Sequence, residues 1–224
     1  MYEDQRLYRI HHPYSYYLVR PLARKCLPLA MRWRIRPNQV TLAVSGTLLA
    51  GLALFGVGGF VAQVLAACAI VTSHFLDCVD GELARKTEQT SKKGEYLDAL
   101  GGYVRGGLLL PAIGLGLTLV PDTGHTLLKT VLPIPFGAYV AIGLWGGCAT
   151  SLVRVINLRY SLLLGRSLRS VKQGFLRIAS VPHGLVNPLL LVAAVTQVLS
   201  FLLIAYSLFH TLELLYGFYR SVRA

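Results

Sequence analysis

Apolar residues in this chain are gathered into six long blocks, set apart by short polar or glycine-bearing breaks. The blocks cover about Val40–Gly56, Phe60–Ala84, Glu95–Val120, Ile134–Leu158, Gly174–Val195 and Val198–Tyr219, the last two divided only by Thr196–Gln197. A stretch of about 20 apolar residues crosses the ~30 Å hydrocarbon layer of a bilayer, so the pattern predicts six transmembrane helices. Residues 1–36 read differently. From Tyr14 to Arg36, Tyr, Leu, Trp and Ile alternate with Arg and Lys. That alternation predicts an amphipathic helix lying on the membrane, its apolar side at headgroup level and its cations reaching water. Pro37 is expected to break it and Asn38 to cap the helix that follows. The expected fold is an all-α integral membrane protein: an arm and interfacial helix at 1–36, then a six-helix domain at 37–224.

Composition agrees with that reading. The chain is 54% hydrophobic and only 14% charged, with a mean hydropathy of +0.55, whereas soluble domains are roughly a quarter charged. The polar first 36 residues hold no early apolar core, so no cleavable signal peptide is expected. A net charge of +12 first suggests nucleic acid, but its placement argues against that partner. Eight cations precede the first block (Arg6, Arg9, Arg20, Arg24, Lys25, Arg32, Arg34, Arg36), and no groove-reading element accompanies them. With the amino terminus inside, the outer connections hold one basic residue, Lys129, of 22. The positive-inside rule therefore places both termini in the cytoplasm, with the protein multi-pass in the cell's inner or plasma membrane. Cys26, Cys68, Cys78 and Cys148 are scattered and read as small apolar residues.

Against this background the stretch Leu76–Gly102, LDCVDGELARKTEQTSKKGEYLDALGG, is anomalous. It holds Asp77, Asp80 and Asp98 in a chain with only ten acidic residues. Asp77, Asp80 and Ala84 share one helix face, which Gly81 and Ala84 leave nearly bare of side chains. Asp98 begins the next block from the same side. Close carboxylates need a cation between them, and an oxygen-only donor set suits Mg²⁺ or Mn²⁺. A bare face beside such an ion and Arg85 leaves room for a diphosphate. A cation transporter would place its carboxylates near the bilayer midplane, and these stand at one end.

The run Asp77-x2-Asp80-Gly81-x2-Ala84-Arg85-x8-Gly94-x3-Asp98 resembles the signature of the CDP-alcohol phosphatidyltransferase family. Pro37-Asn38-Gln39-Val40-Thr41 is similar to the opening of that family's first span. The resemblance implies six transmembrane helices behind a cytoplasmic amphipathic helix, typically as a homodimer. It implies a membrane transferase that moves a phosphatidyl or phospho-alcohol group from a CDP-linked donor (CDP-diacylglycerol or a CDP-alcohol) to an acceptor and releases CMP. Asp77, Asp80 and Asp98 would be metal ligands. Asn38, Thr41, Asp80, Gly81, Ala84 and Arg85 would form the CDP site.

The family pattern ends in a fourth aspartate at position 102, which helps hold the metals and is taken as the general base; here that position is Gly102. Three readings follow. Another group serves as base, with Glu95 on the Asp98 face and His74 three residues before Asp77 as candidates. Alternatively the acceptor is already anionic and needs no base. Or the chain is a catalytically silent binder of CDP or CDP-lipid. Arg105, three residues after Gly102, puts a cation on the site face. Arg154, Arg159, Arg166, Arg169, Lys172 and Arg177 form a basic segment, and with Arg105 the residues Arg154, Arg159 and Arg177 are candidates for an acceptor or phosphate pocket. His183, Asn187, His210 and Glu213 read as structural polar groups.

Overall fold

A computed structural model describes residues 13–88, 92–120, 135, 137–164 and 175–223. Among these residues the protein is all helical. A short π-helical turn at Ser15–Val19 runs into α1 (Arg20–Arg32), followed by α2 (Pro37–Val57), α3 (Phe60–Lys86), α4 (Lys92–Leu119), α5 (Ala138–Leu164), α6 (Phe175–Val195) and α7 (Leu199–Arg223). Each expected block thus overlaps one helix, though the block expected from Ile134 is helical only from Ala138 and those ending at Val120 and starting at Val198 run one residue past theirs. Five of them, in α2, α3, α4, α5 and α7, are long and apolar enough to cross a membrane. In α6 the apolar stretch among described side chains is the shorter Leu185–Val195. Large apolar side chains such as Leu42 (75% exposed), Val61 and Leu208 face outward, as they do on a surface that meets lipid.

Two local expectations are corrected. The helix expected to run to Arg36 ends at Arg32, and residues 33–36 leave it through Arg34 at φ 52°. Pro37 does not break a helix but opens α2 at its first position, where its fixed φ fits and its missing N–H costs nothing. Asn38 is therefore inside the helix and Arg36 is its cap, with the Arg36 N–H donating to Gln39 Oε1 at 2.9 Å.

Packing is uneven along the helices. The main core joins Leu48, Leu52 and Phe55 of α2, Ile70 of α3, Ile113 and Leu117 of α4, Leu190 of α6, and Leu199 and Leu203 of α7. All lie toward the helix ends opposite the aspartate motif. At the motif end a smaller cluster of Leu27, Ala30, Val40 and Leu83 clamps α1 onto α2 and α3. The helices α4 and α5 meet nearly backbone to backbone: a Cβ on Gly143 would come 2.5 Å from the Leu110 carbonyl oxygen, and one on Gly114 would strike that of Tyr139. Gly58 turns the chain from α2 to α3 at φ 77°, where a Cβ would strike the Gly116 carbonyl oxygen.

Candidate functional site

Two helices carry the motif carboxylates to one end of the protein, and α2 meets them there through Thr41. Asp77 on α3 has its carboxyl in hydrogen-bonding range of Asp98 on α4, with Asp80 and Arg105 in the same electrostatic neighbourhood. Arg105 stands two turns beyond Asp98, in the electrostatic neighbourhood of Asp77, Cys78 and Asp98. Asp80 is drawn the other way, accepting a hydrogen bond from Thr41 Oγ1 of α2 at 2.5 Å. Asp98 lies near both Asp77 and Asp80 through α3–α4 proximity.

Two carboxylates as close as Asp77 and Asp98 repel unless positive charge lies between or beside them. Arg105 supplies some of it. Among the described residues no group of three or more His, Cys, Asp or Glu side chains is drawn together tightly enough to hold a metal ion. Thr41 holds Asp80 in place, and Arg105 lies in the same electrostatic neighbourhood as Asp77 and Asp98. The donor set still has the chemistry a hard divalent cation needs, carboxylate oxygens from two helices with no competing sulfur or imidazole. The donor chemistry suits such an ion, although the described side chains as placed do not close a site around one.

The other sequence candidates fall in several places. Gly81 leaves room for Arg85, whose guanidinium nitrogens lie 3.5 Å from where a Cβ would stand. Arg85 also pairs with Glu82 at 3.1 Å. Ala84 is half-buried and Asn38 exposed on the first turn of α2. His74 is engaged away from the aspartates: its Nε2 is 2.8 Å from Ser15 Oγ, and its ring stacks on Tyr14. Arg159 is exposed on α5. The side chains of Glu95, Arg177 and His183, and the whole of Arg166, Arg169 and Lys172, lie outside the described residues.

The structural feature that the sequence reading missed concerns Gly102. A Cβ there would stand 3.2 Å from Arg154 Nη1, and one on Gly106 would stand 3.0 Å from the Arg154 guanidinium. Arg154 therefore crosses from α5 onto a shelf made by two glycines of α4, one turn apart. Its guanidinium also lies 5.6 Å from the Tyr103 ring centroid, a cation–π distance. Where a fourth carboxylate would project, the protein holds a cation.

Five helices long and apolar enough to cross a membrane and three aspartates at motif spacing on neighbouring helices agree with one family. No individual curated protein matches the chain. The family model for CDP-alcohol phosphatidyltransferase matches residues 34–214, most of the sequence, and the chain belongs to that family of membrane transferases of phospholipid synthesis.

Proposed function

We propose that this chain transfers a phosphatidyl or phospho-alcohol group from a CDP-linked donor to an acceptor, with release of CMP. The observation that carries the reading is the meeting of Asp77 and Asp98 across α3 and α4, with Asp80 anchored by Thr41 beside them. Asp77, Asp80 and Asp98 would hold Mg²⁺ or Mn²⁺. When bound, the metal neutralises the donor diphosphate and makes CMP a better leaving group. Asn38, Thr41, Gly81, Ala84 and Arg85 form the CDP side, where Gly81 lets the nucleotide approach the backbone. Arg105 and Arg154 would meet the reacting phosphate from α4 and α5, with Arg159 and Arg177 as the further acceptor-side candidates. The chain is read as six spans with cytoplasmic termini and site, working as a homodimer.

Two residues remain as substitute bases. Glu95 stands on the first turns of α4, three residues before Asp98. His74 would have to leave Ser15 and Tyr14 to reach an acceptor hydroxyl, which favours Glu95 of the two. The Arg154 guanidinium over Gly102 favours a second reading: an acceptor that is itself anionic, or a silent member that only binds CDP-linked ligand. Metal-dependent release of CMP by purified protein, across a panel of CDP donors with hydroxyl and phosphorylated acceptors, separates these. Turnover with hydroxyl acceptors that Glu95→Gln abolishes supports the substitute base. Turnover confined to phosphorylated acceptors supports the anionic reading. Tight metal-dependent binding of a CDP donor with no CMP release from any pair would overturn the transferase reading and leave the binder.

A further inference from the structure

A second basic feature lies outside the aspartate site. Where α1 crosses the last turn of α3, a groove of about 670 Å³ is lined by Arg20, Arg24, Leu27, Glu82, Arg85 and Lys86. That volume is in the range of small-molecule sites. Glu82 bridges the two helices, accepting from Arg24 Nε at 3.4 Å and Arg85 Nη2 at 3.1 Å. Its side chain is only 13% exposed, whereas those of Arg24 and Arg85 are 62% and 54% exposed. The single acid lining the groove is therefore covered, and the charge presented outward is positive. The walls are fixed from below, since Leu27 packs into the buried cluster with Ala30, Val40 and Leu83.

Guanidinium forks and an ammonium around a pre-formed groove are the chemistry that recognises a phosphate group. The same helix sets the height at which the groove lies. Tyr17, Leu18, Leu22 and Leu29 are exposed along the π-turn and α1, with Leu22 and Leu29 on the flank of α1 away from Arg20 and Arg24, an apolar side that an interfacial helix buries among lipid chains. The cations of α1 then lie among lipid phosphates. We infer that the groove between α1 and the end of α3 is a phosphate-binding site for anionic phospholipid headgroups, separate from the aspartate site. Arg85 borders both, since its guanidinium also covers Gly81.

The test uses the full-length protein in neutral detergent with EDTA present, so that metal-dependent binding at the aspartates is silent. Isothermal titration is run with dihexanoyl phosphatidic acid, dihexanoyl phosphatidylcholine and inorganic phosphate. Saturable binding of the phosphatidic acid is expected, weakened roughly tenfold or more in Arg20→Gln/Arg24→Gln, since each lost charge-assisted contact carries about that factor. Lys86→Gln, a change at an exposed side chain, should weaken it in the same direction and keeps the test alive if the double variant does not fold. Inorganic phosphate binding as tightly, with the same sensitivity, would support the phosphate site and identify a soluble source for the ligand. Equal affinity for phosphatidylcholine, affinity unchanged in folded variants, or no saturable binding would each overturn the inference.

Discussion

Restoring a carboxylate at position 102 probes the seat of Arg154 directly. In Gly102→Asp the new Cβ stands 3.2 Å from Arg154 Nη1, so the carboxylate two bonds further out meets the guanidinium with little movement. Replacing glycine inside a helix gains a few tenths of a kcal/mol. The like charge of Asp98, four residues earlier, costs about the same. What is left is the contact with Arg154, a half-buried pair worth about 1 kcal/mol. In a chain of this size that raises Tm by roughly 2–4 °C. The assay is a thermal melt in detergent of the wild type, Gly102→Asp, Arg154→Leu and the double variant, which forms a double-mutant cycle. A coupling near 1 kcal/mol is expected. CMP release by Gly102→Asp should rise less than the roughly 10²–10⁴-fold that a general base supplies, because Arg154 holds the new carboxylate in its charged, weakly basic state. Additive melting shifts, or a full rate gain in the single variant, would refute the placement of Arg154 over position 102.

Thr41→Val removes the donor that holds Asp80 and should weaken metal-dependent binding of a CDP ligand roughly tenfold, while Asp77→Asn or Asp80→Asn should abolish it; unchanged affinity by calorimetry in the aspartate variants would remove the metal assignment. A cysteine at position 86 or 92 should react with an impermeant reagent only from the cytoplasmic side, and labelling of intact cells from outside would reverse the topology. Gly58→Ala should lower stability by about 2 kcal/mol or more, because a side chain at φ 77° is strained by ~1–2 kcal/mol and its Cβ also meets the Gly116 carbonyl; a melting point within a degree of wild type would contradict the backbone geometry.

The helices were legible because lipid imposes a simple rule on them: apolar length. The block expected at Phe60–Ala84 became Phe60–Lys86, and the one expected at Val198–Tyr219 became Leu199–Arg223. Ends set by single residues were harder. Pro37 marks a boundary in either reading, and only the backbone shows that it starts a helix where a stop was expected. The aspartates were legible by spacing, since i and i+3 share a face whatever surrounds them. Arg154 over Gly102 was not, because residues 52 positions apart are joined only by the approach of α4 to α5. The glycines along that seam were the available signal, and a lone glycine in a membrane helix does not name its neighbour. His74 was read as a candidate base from its place on α3; Ser15 and Tyr14, which engage it, belong to a segment whose docking no periodicity reveals.

The close seam between α4 and α5 spreads the site's vulnerability well beyond the residues that touch substrate. Arg154 reaches its shelf only because Gly114 and Gly143, far along the same two helices, let the backbones lie against each other. A methyl group added at either would wedge the helices apart and lift the guanidinium away from Gly102 and Gly106. In a survey of random substitutions these distant glycines would register as functional hot spots, and their pattern of damage would trace the line of contact between two helices.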